Sequence, residues 1–215
     1  MAASKVSTAA TRTALLEAAR EEFAAYGVAG ARVDRIAERA GVNKERIYGH
    51  FGNKEKLFDA VIKEALDDLT AQIALPGADP ADYVARLSDY YHTHPDLVRL
   101  LMWEALNYRG QELLAGQEAR VERCARKTAS LAEGMGEQPS AATARLLFTL
   151  TGLALFPSMM PQLGRIILGP AADDHDALRE QLAAFVTAAL KPSPGSGKTG
   201  SANTGSGNTG AAPER

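Results

Sequence analysis

Within GVNKERIYGHFGNK (41–54) stand two lysines, an arginine, a histidine, a glutamate and a tyrosine, punctuated by three glycines. Lys44 and Arg46 carry donors that match guanine O6 and N7, and Glu45 can accept from the cytosine amino group. Asn43 is placed to cap a helix that begins with these side chains. Tyr48, His50 and Lys54 can donate to phosphate oxygens, contacts that fix register and add salt-sensitive affinity. Lys54 and Glu55 open a further helix, whose N-terminal amides suit an anion. The chemistry is that of a nucleic-acid contact. A charge cluster such as KER can equally be a solvated face, and two short helices around a glycine are common in all-α proteins.

Other groupings carry less. GSGKTG (195–200) matches a glycine-rich phosphate loop in part, but no strand precedes it and no helix follows it. It recurs as GSGNTG (205–210) in a segment nearly free of apolar residues. Residues 192–215 are therefore expected to be a disordered Gly/Ser/Thr-rich tail. His92 and His94, with Glu104, hint at a metal, yet the two histidines fall at a helix end before Pro95, where capping or solvent exposure is the simpler role. Lone Cys124 can form no internal disulfide and reads as a small core residue. No nucleophile–base pair, dinucleotide fingerprint or metal cluster appears, so neither a cofactor nor a metal is expected. An enzyme is the weaker reading, since catalytic groups can be scattered along a chain.

The chain has 215 residues, 46% hydrophobic and 23% charged, with a formal charge of −2. Residues 1–66 carry +2 and the remainder −4, so any nucleic-acid contact must come from a local patch. The apolar run LLFTLTGLALFPSMM (146–160) is shorter than the roughly 20 residues of a membrane span. It is expected to be a buried or interface helix in a soluble, cytoplasmic protein without a membrane partner. The N-terminus has no apolar signal core.

The patterning predicts about nine helices and no strand. Residues 11–27 space Leu16, Ala19, Phe23 and Tyr26 on one face, with Gly27 able to end the helix. Short helices follow over 33–41 and 43–51, and Asn53 caps a long one carrying Phe58, Ile62, Leu69 and Ile73. Pro95 suits the first turn of another. A helix over 109–136 is expected to set Leu114, Val121, Cys124, Thr128, Leu131 and Met135 on one side. Pro157 and Pro161 interrupt the apolar segment that begins near 140. The organisation expected is an N-terminal arm (1–10), a DNA-binding domain (11–55), a larger helical domain (56–191) and the tail.

The helices 33–41 and 43–51, joined by AGVN, form a helix-turn-helix, with Ile36, Ala37, Val42 and Ile47 locking the pair. TRTALLEAAREEFAAYG followed by VDRIAERAGVNKERIYGHFGNKEKLFDAVIKE resembles the N-terminal domain of the tetracycline-repressor (TetR) family of bacterial transcription regulators. The similarity spans roughly 11–64 and holds in order and spacing through IAERAGV, the IY pair, Phe51, and Lys54 followed by Leu57. It implies an all-α homodimer with a three-helix DNA-binding domain and a larger ligand-binding and dimerising domain. It also implies repression that a small molecule relieves, with double-stranded DNA bearing a palindromic operator and an unidentified effector as partners. Three departures bear on the operator. Ala31 and Arg32 stand where Ser or Thr is common, so Arg32 would supply that phosphate contact. Glu45 and Arg46 replace small residues, and Gly49 replaces a larger, often aromatic, side chain. Glu45 and Gly49 are also the features that would suit a helical adaptor that has lost specific DNA binding.

By the family's plan, the helices near 140–156 and 174–190 pair with their copies, and their apolar faces support a two-fold contact. The residues expected there are Leu146, Leu150, Leu153, Leu178, Leu182 and Phe185. A ligand pocket is expected among the helices of 80–160, with His92, Met102, Trp103, Glu104, Tyr108, Arg109 and Phe156 as lining candidates. Trp103 and Met102 could instead be core, and Arg109 a surface residue.

Overall fold

A computed structural model describes residues 2–108, 114 and 116–191, with side chains from Ala9 onward. Arg109 and the segment 192–215 lie outside the described residues. Among the described residues there are ten α-helices, one 3-10 turn and no strand. They are α1 (Ala2–Gly30), α2 (Val33–Arg39), α3 (Lys44–Phe51), α4 (Lys54–Gln72), α5 (Pro80–Thr93), α6 (Pro95–Asn107) and α7 (Gln117–Gly134). Then come α8 (Ala141–Met159), α9 (Pro161–Leu168), the 3-10 turn (Gly169–Asp173) and α10 (His175–Ala189).

Local chemistry sets the boundaries. The Asn43 side chain accepts from the Arg46 amide at 3.1 Å, and Asn53 from the Lys56 amide at 2.8 Å. Each satisfies one of the unpaired donors at a helix start. Gly27 has the left-handed φ expected of it (64°), but it kinks α1 rather than ending it, and one more turn follows. Residues 2–10 are already helical and continue into α1. Pro157 does not stop α8, which runs on to Met159. The break comes at Met160, and Pro161 then occupies the first position of α9, where its missing N–H costs nothing. That extra helix is why ten are found where about nine were expected.

One continuous core runs the length of the protein. At the N-terminal end Phe23 meets Phe58 edge-on at 5.2 Å, among buried Leu15, Leu16, Ile36, Ile47, Leu57 and Ile62. Each such side chain stabilises by about 1.5–3 kcal/mol. Beyond α4 the core is built from Tyr83, Leu87 and Tyr91 of α5, Leu97 and Leu100 of α6, Leu131 of α7, Leu147, Leu150 and Ala154 of α8, and Val186 of α10.

Helix α7 departs from its expected apolar stripe. Leu131 is buried, whereas Val121, Cys124 and Met135 are exposed. The inward side is polar instead. Arg120 makes a two-pronged bond to Glu104 (2.9 Å each), and Arg123 meets Asp67 at 2.5 Å. Lys127 lies 5.8 Å from the Tyr83 ring, and Ser130 Oγ accepts from the Gly77 amide at 3.0 Å. At its end, Gly134 crosses the loop before α5 so closely that a Cβ there would lie 2.1 Å from the Gly77 carbonyl oxygen.

Candidate nucleic-acid interface

Helices α2 and α3 are joined through Ala40, Gly41 and Val42. Gly41 holds φ at 66°, a value costly for any residue with a Cβ, and the Val42 amide closes the turn on the Ala37 carbonyl at 3.0 Å. Ile47 faces the core and is buried, so the opposite side of α3 points outward. That side presents Glu45, Arg46, Tyr48, Gly49 and His50, all exposed. A Cβ on Gly49 would meet nothing within 4 Å, leaving the helix backbone bare at that point. The expected residues of this group are thus brought onto one surface.

Of the other four, Asn43 caps α3 and both lysines are engaged within the chain. Lys44 Nζ lies 2.7 Å from Asp34, and that hydrogen bond holds the ammonium above its ordinary range. Lys54 Nζ donates to the Ala31 carbonyl at 3.3 Å, bridging α4 to the start of α2, and keeps donors to spare. Arg32 is exposed, and its backbone amide donates to Glu22 at 2.8 Å.

Glu22, 1% exposed, was absent from the expected set. It accepts from Arg35 Nε at 2.9 Å and from Arg35 Nη2 at 2.5 Å as well as from the Arg32 amide, so a single carboxylate ties α2 to α1. Arg35 also stacks 4.5 Å from the Tyr26 ring centroid. The signal was present in the sequence, because position 22 falls on the core face set by Leu15 and Ala19, and a charge there demands a partner. Burial pushes the Glu22 carboxyl up, but the bonds from Arg35 and the Arg32 amide outweigh it and hold the group below its ordinary value of 4.5. A carboxyl lowered on folding stabilises above its unfolded pKa, and that stability is lost as pH falls through the folded one. Glu22→Gln should therefore lower the melting temperature at pH 7 by about 5–10 °C, with the gap to wild type closing below about pH 4.5. A gap that is the same at pH 7 and pH 3, by calorimetry, would show that the charge is not what matters.

The expected pocket residues do not converge. Trp103 turns its indole onto Gly27, whose hypothetical Cβ would lie 2.7 Å from the ring, and Nε1 donates to the Ala24 carbonyl at 3.3 Å. Glu104 is taken up by Arg120, Met102 packs against the core, and Tyr108 is exposed just past α6. The face of α6 bearing Trp103 and Glu104 meets α1 and α7. His92 and Phe156 do line a cleft of about 460 Å³ between the ends of α5 and α8, α9, the 3-10 turn and α10. Its walls include Pro157, Met160, Leu163, Ile167 and Leu168. His92 stacks on His175 at 3.9 Å, and His175 Nε2 lies 2.9 Å from Asp89. His94 is turned away onto Tyr90, and no group of three His, Cys, Asp or Glu among the described residues could hold a metal.

The expected dimer residues differ in how far they stand out from the single chain. Leu150 is 2% exposed and lies in the chain's own core, with Leu146, Leu153 and Leu182 packed against it and Leu178 lining the cleft. Only Phe185 of that set stands well out, at 56% exposed. The outward stripe is rotated, carrying Phe148 (82% exposed) and Gly152 on α8, and Ala184, Phe185 and Ala188 on α10. Among the described residues, α8 is also the one helix long and apolar enough, by length and composition alone, to cross a membrane.

Comparison with known proteins bears on this arrangement. Residues 15–61 match the model for bacterial regulatory proteins of the tetR family, and residues 79–188 the tetracyclin repressor-like C-terminal domain. The chain is 39% identical over 176 residues to the HTH-type transcriptional repressor SCO4008 of Streptomyces coelicolor, covering 80% of this chain and 91% of that one. It is 36% identical over 104 residues to the repressor NicS of Pseudomonas putida, 45% of this chain and 49% of that one. A transcriptional regulator of Streptomyces coelicolor, SCO4942, superimposes with a TM-score of 0.70 at 31% identity, covering 83% of this chain and 97% of that one. With a helix-turn-helix held by a buried carboxylate and a second, all-helical domain, the chain belongs to the TetR family and is a DNA-binding transcriptional regulator.

Proposed function

We propose that the protein is a homodimeric repressor that reads a palindromic operator with α3 and lets go when a small molecule occupies the cleft beside α9. The observation that carries the DNA half is the outward row Glu45, Arg46, Tyr48, Gly49 and His50 on a helix anchored by Ile47. Such a helix entering the major groove puts its first residues against base edges. It acts in the cytoplasm, where its DNA is.

The dimer is supported by the stripe of Phe148 and Phe185 among Gly152, Ala184 and Ala188, where small residues let helices approach and the phenylalanines supply area. A two-fold axis there would place the two α3 helices for half-sites about 34–36 Å apart, or a multiple of that. The cleft suits a largely apolar effector with one polar end directed at His92 and His175. Its effect reaches α3 through α6, which carries Trp103 against α1 and receives Arg20 of α1 on Asp96; Arg20 also meets Asp68 of α4 at 3.3 Å. A ligand shifts the equilibrium between reading and non-reading forms by its differential affinity for them.

Selection of bound duplexes from a random pool, at one stated salt concentration, tests the reading. The expected result is an enriched palindrome, and Arg46→Ala should then cost about 1–3 kcal/mol and relax preference at one base pair per half-site. No enrichment at low salt, from protein refolded to strip any bound ligand, would favour an adaptor without sequence-specific DNA binding.

A further inference from the structure

The cations of the helix-turn-helix are not equally free to meet DNA. Arg35 is held by Glu22, Arg39 Nη1 lies 2.7 Å from Glu21, and Lys44 Nζ lies 2.7 Å from Asp34. The first two pairs join α2 to α1 and have a structural purpose. The third instead joins α2 to α3, the helix proposed to meet DNA. Asp34 is 74% exposed in the first turn of α2, and Lys44 is the first residue of α3. An exposed carboxylate beside a surface that must approach a polyanion is unfavourable unless it does something there.

We infer that Asp34 tunes the sequence-independent part of DNA binding, engaging Lys44 so that its charge is withheld from phosphate. Non-specific binding is almost wholly the neutralisation of phosphates and the release of their counterions. Each cation masked by a carboxylate removes about one such contact, whichever sequence is bound. Glu45 and Arg46 keep their base-edge groups free, while the pair occupies the Lys44 ammonium. The pair therefore lowers affinity for DNA of any sequence by about the same factor. The geometry favours a persistent pair, since Asp34 also sits where the α2 dipole stabilises a negative charge and Lys44 opens the helix that the short turn 40–43 folds back toward it. The raised affinity of Lys44 for its proton is in keeping with that contact.

This rests on the reading that α3 meets DNA, and a short scrambled-sequence duplex tests it without any knowledge of the operator. Binding is followed by fluorescence anisotropy as salt is raised, for wild type, Asp34→Asn, Lys44→Met and the double variant. Asp34→Asn should bind the scrambled duplex about five- to tenfold more tightly near 0.1 M salt, with a log–log salt slope steeper by about 0.9. Lys44→Met in the Asp34→Asn background should remove the added slope and return it to the wild-type value, whereas Lys44→Met alone bares Asp34 and should bind more weakly than the double variant. On a duplex enriched from a random pool the gain from Asp34→Asn should be about the same, so the ratio of specific to non-specific affinity holds while both affinities rise. A double-variant slope shallower than wild type by about 0.9 would overturn the inference, showing Lys44 on phosphate in the wild type. So would an Asp34→Asn slope equal to wild type. Wild-type protein that binds neither duplex at low salt would overturn the reading of α3 itself.

Discussion

Phe148→Asp should leave a correctly folded monomer in place of a dimer, and with it a protein that no longer holds an operator at nanomolar concentration. The fold should survive because Phe148 is 82% exposed in the single chain and supports nothing within it. The assembly should not, because a two-fold contact meets the change twice. Losing about 2 kcal/mol of burial per phenylalanine doubles to about 4 kcal/mol, close to a thousandfold in dimerisation, before the cost of seating a carboxylate there. Phe185→Asp on α10 should act the same way, whereas Leu150→Ala should lower stability by about 2–5 kcal/mol and leave the oligomeric state alone. Sedimentation of the 22.8 kDa chain distinguishes these outcomes. DNA binding follows, since two linked heads gain about 10²–10⁴ from effective concentration that one head lacks. A Phe148→Asp protein that still sediments as a dimer would move the interface elsewhere.

At the junction of the two domains, Gly27→Ala should be among the most destabilising changes in the molecule. Its φ of 64° with ψ of −178° lies in a region that is essentially glycine's own, at about 1–3 kcal/mol for any other residue. The new methyl would also press into the Trp103 ring at 2.7 Å, adding about 1–3 kcal/mol of overpacking. Trp103→Ala should cost about 3 kcal/mol by itself through the space it leaves. The two should not add. With the indole gone, Gly27→Ala retains only its backbone strain, so a denaturant-melt cycle should show at least about 1 kcal/mol of coupling. Strict additivity would mean that the ring yields freely, and α6 could then hardly move α1 through this contact.

The helix-turn-helix was legible because its determinants are local: apolar spacing over nine residues, a glycine at the turn and two asparagine caps. The outward residues of α3 followed from that geometry. What escaped was the chemistry of the inward-facing charges. Helix α7 turns Arg120, Arg123 and Lys127 toward its neighbours, and a pattern of apolar residues cannot register ion pairs to Glu104 and Asp67. Helix α8 is apolar around most of its circumference, so periodicity could not separate leucines that fill the core from phenylalanines that face out. Trp103 looked like pocket lining because its partner is a glycine far upstream, and the ring packs where that glycine leaves room.

The crossing of Gly134 over Gly77 has a bearing on how this protein can change over generations. Even alanine at 134 would drive a carbon to 2.1 Å from a backbone oxygen, and no rotamer relieves a clash with main chain. A saturation library at 134 should therefore return glycine almost alone, although the position is solvent-accessible and touches neither α3 nor the cleft. Surrounding sequence is free to drift, including the exposed Val121 and Cys124 of the same helix. Lineages that diversify what the regulator senses must do so around this fixed point, and an insertion in the loop that carries Gly77 would first have to reopen it.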